Sequence, residues 1–202
     1  MTLDELAHQE PNPSLWTDKK SATPGYTCHD YLNFYEREWG KWRKAPITIM
    51  EIGLNKGASI KLWLQYFIKA LVYGVDIAPF KNEVGIEAAE LSRFHFEQGD
   101  QSDTKFWNDF LGRVPPLDIV IDDGCHFSGP IQVAFHAIWP KVVPGGYYVI
   151  EDISEVLNPE SHTPGFMNQA EFVQKLAHHA IMGLNNIDEM MIRNEVCMLR
   201  KK

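Results

Sequence analysis

Short apolar runs alternate with helical stripes along most of this chain. Tyr31, Phe34, Tyr35 and Trp42 recur at helical spacing between Cys28 and Arg43. Ile47-Thr-Ile-Met-Glu51 is a β-like run that ends at Gly53, and Ile60, Trp63, Leu64, Phe67 and Ile68 then mark one helix face. Leu71-Val-Tyr-Gly-Val75 predicts a second strand, closed by Asp76 and a turn at Pro79, with a weak helix through Glu83–Leu91 after it. Phe94-His-Phe96 leads to Gly99-Asp100, and Phe106, Trp107 and Phe110 mark a short helix. Leu117-Asp-Ile-Val-Ile121 runs into Asp122-Asp123-Gly124; Pro130 then suits a first helical turn, with Ile131, Phe135, Ile138 and Trp139 as its stripe. Pro144-Gly145-Gly146 reads as a turn before the strand Tyr147–Ile150, which ends in Glu151-Asp152. A helix through Glu171–Ile181 precedes a terminal strand pair, Glu189–Ile192 and Val196–Leu199, hinged near Arg193-Asn194.

This order predicts an α/β fold: a Rossmann-like, doubly wound, mostly parallel sheet with right-handed crossovers and an antiparallel C-terminal strand pair. Ligands of such sheets bind outside the carboxyl ends of the strands. Those ends here carry Glu51, Asp76, Asp100, Asp122, Asp123, Glu151 and Asp152, an acidic rim. Turns favour Asp for reasons of their own, but so regular a series after apolar strands points to function.

Composition sharpens this without changing it. The 202 residues are 45% hydrophobic and 23% charged, which excludes a disordered or collagen-like chain and fits one domain, residues 28–202, with an N-terminal arm or lid over 1–27. A net charge of −8 disfavours a nucleic-acid or anionic-membrane partner. The basic clusters, Lys19-Lys20, Lys41-Trp42-Arg43-Lys44 and Arg200-Lys201-Lys202, read as solvated surface charge. No apolar run is long enough to span a bilayer, and residues 1–16 lack the pattern of a signal peptide. Three widely spaced cysteines, Cys28, Cys125 and Cys197, give neither a disulfide framework nor a zinc spacing. A soluble, cytoplasmic protein is expected.

The first loop points to the cofactor. Glu51-Ile-Gly53-Leu-Asn-Lys-Gly57 lacks the Gly-x-Gly-x-x-Gly of a dinucleotide cradle, although its glycines allow close backbone approach. An acidic residue ahead of the glycine suits a cationic ligand. Asp76, an acceptor-only carboxylate at the second strand end, suits the two hydroxyls of a ribose. A ligand with a cationic amino-acid part and a nucleoside part fits both, namely S-adenosylmethionine.

Glu51-x-Gly53-x-x-x-Gly57, Asp76, Gly99-Asp100-Gln101-Ser102-Asp103 and Pro144-Gly145-Gly146 together resemble a class I S-adenosylmethionine-dependent methyltransferase, through most of residues 29–202. More narrowly, Asp122-Asp-Gly-Cys-His126 and Ile150-Glu-Asp152 resemble the metal-dependent macrolide-sugar O-methyltransferases of the mycinamicin and macrocin type, and His29-x-Tyr31-x-x-x-Tyr35 is similar to a helix of that wider group. The resemblance implies cofactor contacts from Glu51, Gly53, Gly57, Asp76, Asp100, Gln101 and Asp122. It implies a magnesium ion, or a similar hard cation, on Asp123, Glu151 and Asp152; converging carboxylates need such a charge and all-oxygen ligation favours it. His126, three residues beyond Asp123, is then the expected general base, its ordinary pKa of ~6.5 suiting proton removal near neutrality. The expected partner is a small hydroxylated acceptor such as a sugar, glycoside or other natural product, and a homo-oligomer is compatible.

Two departures limit the resemblance. Cys125 stands where the family usually has serine, and the additional amino-terminal domain of some members is not seen in this sequence. Acceptor and assembly therefore do not carry over, and Ile153–Phe166 and the arm before Tyr26 are expected lids without readable specificity. A nicotinamide-dependent oxidoreductase, a non-catalytic member of the fold and a non-methylating S-adenosylmethionine binder are the alternatives.

Overall fold

The computed structural model describes residues 1–12, 15–23, 28–154 and 158–202. Seven strands form one sheet: β1 (Thr48–Ile52), β2 (Leu71–Asp76), β3 (Phe94–Gln98), β4 (Leu117–Asp122), β5 (Val142–Ile150), β6 (Ile187–Arg193) and β7 (Val196–Lys201). Their order is β3-β2-β1-β4-β5-β7-β6, with β1 to β5 parallel and β7 antiparallel to both its neighbours. This is the expected Rossmann-like sheet, and its order reverses between β1 and β4.

Among the described residues, seven α-helices accompany it: α1 (Leu3–Ala7), α2 (Tyr31–Trp39), α3 (Ala58–Tyr66), α4 (Ala88–Leu91), α5 (Thr104–Leu111), α6 (Ser128–Ile138) and α7 (Gln169–Ile181). Strand periodicity divides the core into two faces. Ile49, Val72, Ile119, Ile121 and Val149 join Tyr35, Trp39, Ile60 and Trp63 of α2 and α3. Met50, Val75, Val120, Tyr148 and Ile150 join Trp107, Phe135, Phe172 and Leu176 of α5, α6 and α7. With both faces covered, β1 is buried at every residue, as parallel strands require. No helix of the described residues is long and apolar enough to cross a membrane.

The strand ends are tied to one another by backbone. Gly53 N donates to Val75 O at 2.8 Å, Gly99 N to Asp76 O at 2.9 Å, Asp123 N to Ile52 O at 3.0 Å and Glu151 N to Asp122 O at 3.0 Å. The acidic rim is thus set at fixed heights above the sheet.

Three expectations are corrected. The helix expected over Glu83–Leu91 shrinks to α4, because Asn82 Oδ1 accepts from Ile86 N at 2.7 Å and Nδ2 donates to Ile86 O at 3.0 Å, a local loop that competes with helical bonding. Pro144-Gly145-Gly146 is not a turn between elements but a bulge inside β5: the register against β4 jumps between Leu117 and Ile119. The Lys19-Lys20 pair is not surface charge, being 1% and 0% exposed. Lys20 Nζ lies 3.1 Å from the centre of the Trp16 ring, a cation–π contact that takes the place of water. The arm also contributes to the core. α1 is closed by a Thr2–Glu5 capping box, and Leu3 is fully buried. Residues 13–14 and 24–27 of the arm and 155–157 of the other expected lid lie outside the described residues.

Candidate active site

The loops after β1 and β4 meet backbone to backbone. Gly53 has φ +82°, and a Cβ there would lie 2.0 Å from the Asp123 carbonyl oxygen. Glycine alone permits this approach. Gly57, at φ +85°, begins α3, and a Cβ there would strike the Phe80 ring at 2.8 Å.

Asp76 closes the loop between those glycines. Its Oδ2 accepts from Leu54 N at 2.7 Å and Asn55 N at 3.3 Å, and its Oδ1 from Ala78 N at 2.9 Å. A carboxylate offers about four acceptor positions, so Asp76 shapes the loop and keeps acceptor capacity on Oδ1. It stands between two adjoining clefts that share Gly53, Asp76 and Gly124. One, of about 400 Å³, is also lined by Trp16, Thr17, Asp18, Lys19, Asn55, Asp123, His126 and Asp152. The other, of about 170 Å³, has walls from Ile52, Val75, Ile77, Asp100, Gln101 and Cys125.

Of the other residues expected at a cofactor, Asp100 and Gln101 line the smaller cleft, whereas Glu51, Gly57 and Asp122 line neither. Gln101 Nε2 donates to Asp122 Oδ1 at 2.6 Å, and Gln101 Oε1 accepts from Cys125 N at 3.2 Å. Burial pushes the Asp122 carboxyl up to about 7, against the hydrogen bonds from Tyr148 and Gln101. Glu51 points into the α3 side of the sheet, where its Oε2 accepts from Ser59 Oγ at 2.8 Å and Trp63 Nε1 at 3.0 Å. Burial raises it to about 7 as well, although Lys19 opposes the shift.

Beyond β4 and β5 the acidic groups gather. Lys19 Nζ donates to Asp123 Oδ2 and, at 2.5 Å, to Glu151 Oε2; Glu51 Oε1 is 3.7 Å away. Tyr35 OH donates to Glu151 Oε1 at 2.6 Å, so both Glu151 oxygens are taken. Tyr31 OH donates to Asp152 Oδ1 at 2.9 Å. Burial and these neighbouring carboxylates hold both phenols above their ordinary pKa, so they remain donors.

His126 and Asp152 face each other from strained backbone, at φ +57° and +54°. Left-handed conformations cost non-glycine residues roughly 1–2 kcal/mol each, and such strain gathers at functional sites. The loop is braced from below by Gln169 Nε2, which donates to His126 O at 2.8 Å. His126 Nε2 lies 3.7 Å from Asp152 Oδ2 and 3.9 Å from Asp123 Oδ1. One donor atom each from Asp123, His126 and Asp152 lies within 4.8 Å of the other two. Two converging carboxylates fit a hard divalent ion that keeps several waters, with an imidazole beside it. Glu151 stands next to this set, but through Lys19.

Three groups order the site besides the rim: Tyr31 and Tyr35, which the sequence offers only through the motif resemblance, and Lys19, which reads there as solvated surface charge. The i, i+4 spacing of Tyr31 and Tyr35 places both hydroxyls on one helix face. That signal was available, but the pair reads as an apolar stripe. Lys19 gives no local signal, since its partners are 104 and 132 residues away.

No protein-family model matches the chain. It is 37% identical over 132 residues to the 8-demethyl-8-alpha-L-rhamnosyl tetracenomycin-C 2'-O-methyltransferase of Streptomyces olivaceus, covering 62% of this chain and 33% of that protein. It is 35% identical over 150 residues to the mycinamicin VI 2''-O-methyltransferase of Micromonospora griseorubida, covering 71% of this chain and 35% of the relative. Among solved structures, the MycE methyltransferase from the mycinamycin biosynthetic pathway in complex with Mg and SAH superposes with a TM-score of 0.81 at 27% identity, covering 100% of this chain and 55% of the other. The chain thus spans about a third of the curated relatives it matches and about half of that solved chain. With its strand order, acidic rim and sequence similarity taken together, the chain has the Rossmann-like fold of the class I S-adenosylmethionine-dependent methyltransferases and resembles, among them, the macrolide- and sugar-directed O-methyltransferases of the mycinamicin and macrocin type.

Proposed function

We propose that this chain is an enzyme that moves a methyl group from S-adenosylmethionine to a hydroxyl of a glycosylated small molecule, with a divalent ion beside the reacting oxygen and His126 as general base. One observation carries this reading: His126 Nε2 sits between Asp123 and Asp152 in the same cleft that the Gly53 loop and Asp76 line. Proton acceptor, cation ligands and nucleoside-type loop therefore share one chamber. The names of the relatives, O-methyltransferases of rhamnosyl tetracenomycin and of mycinamicin VI, support the acceptor class.

When bound, S-adenosylmethionine supplies an electrophilic methyl, and a hard cation such as Mg²⁺ supplies charge that orients and acidifies a hydroxyl. The chain does the rest. Asp76 Oδ1 would hold the ribose, while the smaller cleft between Ile77 and Gln101 takes the base, with Asp100 at its edge. Gly53 gives the backbone room, Gly57 leaves space for the Phe80 ring at the start of α3, and Asp122 holds Gln101 from behind. Asp123, Glu151 and Asp152 would hold the cation. His126 Nε2 takes the proton of the acceptor hydroxyl, and the strained loops fix its position before the acceptor arrives. Residues 28–202 form the methyltransferase domain, and the arm, through Trp16 to Lys19, forms one wall of the chamber. A cytoplasmic location goes with this reading.

The test is transfer from methyl-labelled S-adenosylmethionine to demethylated macrolide and rhamnosyl acceptors, with and without Mg²⁺. The His126→Gln variant should lose about 10²–10⁴-fold in single-turnover rate, with binding of the demethylated cofactor unchanged. A wild-type rate in that variant would remove His126 from the proton transfer.

A further inference from the structure

Lys19 is a cation with an unusual address. It comes from the arm, is 1% exposed, and its ammonium lies between Asp123 Oδ2 and Glu151 Oε2. It faces a third buried carboxylate at Glu51, whose Oε1 has no hydrogen-bond partner. Three carboxylates thus gather around this one ammonium, and Asp152 faces the same cluster across His126. Buried carboxylates without a counter-charge are costly, and the Lys19 ammonium is the charge set against the Asp123–Glu151 pair.

The backbone of Lys19 is held independently of its side chain. His29 N donates to Asp18 O at 2.8 Å, Asp30 N to Lys20 O at 3.1 Å and Leu32 N to Lys19 O at 3.0 Å. Asp30, the N-cap of α2, makes no side-chain capping bond, so the Lys19 carbonyl satisfies one of that helix's unpaired N–H groups. The ammonium, in contrast, hangs on a flexible four-carbon stem and lines the larger cleft. Moving it needs rotamer changes, not undocking of the arm.

We propose that Lys19 is the resident counter-ion of the Asp123–Glu151 pair and that a divalent cation takes its place. In the metal-free protein the ammonium holds the two carboxylates together. On loading, Asp123 and Glu151 pass to the divalent ion alongside Asp152, and the ammonium swings into the cleft. Lys19 is thus a positioning residue that keeps the ligand set assembled between metal-binding events. This rests on the metal-dependent reading above and adds the residue with which the metal competes.

Two measurements on the full chain test it. The first is acetylation of wild-type lysines by acetic anhydride, read peptide by peptide by mass spectrometry, with and without MgCl₂. Lys19 should be protected without Mg²⁺ and become at least ~10-fold more reactive with it, while Lys61 stays unchanged. The second is calorimetric titration with MnCl₂ of the wild type and of Lys19→Met, which keeps the apolar stem. The variant should bind at least ~10-fold more tightly. Equal or weaker Mn²⁺ binding by a folded Lys19→Met protein overturns the exchange and leaves metal dependence intact; so does Lys19 protection that persists while Mn²⁺ binds. Absence of Mn²⁺ binding in both proteins overturns the metal-dependent reading and the exchange together. If Lys19→Met does not fold, the acetylation pattern of the wild type decides.

Discussion

Gly53→Ala should damage the site and the fold together, for a reason that can be isolated. Alanine at φ +82° carries a left-handed penalty of roughly 1–2 kcal/mol. Its Cβ would also sit 2.0 Å from the Asp123 carbonyl oxygen, so the loop after β4 must retreat by about 1 Å to reach even the closest contact real structures show. Overpacking of this kind costs about 1–3 kcal/mol, for a combined loss of roughly 2–5 kcal/mol from a stability of about 5–15 kcal/mol. Gly145→Ala is the control. Its φ is +79°, nearly the same, but nothing lies within 4 Å of the added methyl, so it carries the backbone penalty alone. Urea midpoints of the two variants give the collision term by difference, expected at about 1–3 kcal/mol. Mn²⁺ titration should show weaker binding in Gly53→Ala only, because the displaced carbonyl carries Asp123 with it. If both variants lose the same stability, the two loops are not in the contact described, and the coupling between the Gly53 loop and the carboxylate cluster falls.

Asp76→Ala should weaken binding of the demethylated cofactor by about 1.5–3 kcal/mol, the range for hydrogen bonds to a charged group; unchanged affinity by calorimetry would sink its role. Asp122 keeps its proton in the native state up to about pH 7, whereas the unfolded chain gives it up near pH 4. Its contribution to stability therefore falls as pH rises through that window, by something on the order of 2–4 kcal/mol. Urea midpoints of Asp122→Asn should accordingly gain on the wild type between pH 5 and pH 7, and a constant difference would refute the buried, protonated state. Cys125 is exposed and Cys197 fully buried, with burial pushing the Cys197 thiol up to about 12. A disulfide reagent should modify Cys125 in the native protein and reach Cys197 only after unfolding; early loss of the Cys197 thiol would contradict the β5–β7 packing.

What the sequence disclosed, and what it withheld, follow from how far each interaction reaches along the chain. The strands were legible because apolar runs such as Leu117–Ile121 are stopped by carboxylates and glycines, signals that lie within a few residues. The rim residues Asp123, Glu151 and Asp152 were legible for the same reason, since strand ends of a parallel sheet face one way. Lys19 was not, because a lysine in a polar arm looks solvated until β4 and β5 bring its partners from over a hundred residues away. Glu51 shows a subtler limit. Its place after an apolar run suggested the cofactor, but the two-residue period of β1 puts it on the face with Ile49, under Ser59 and Trp63. The Pro144–Gly146 segment has the composition of a turn, yet Gly146 serves close approach within the sheet: a Cβ there would meet Asp118 O at 2.9 Å.

The position of β7 between β5 and β6 bears on how this chain emerges from the ribosome. Every other strand of the sheet is synthesised before β7, yet β7 occupies an interior place. Translation runs at roughly 5–20 residues per second, so the outer edge of β5 waits on the order of 3–10 s for its neighbour. During that time Tyr147–Ile150, an apolar stretch with unpaired N–H and C=O groups, is a template for pairing with other nascent chains. A stop codon before Val196 would make that exposure permanent, and such a product is expected in the insoluble fraction rather than as a protein short of one edge.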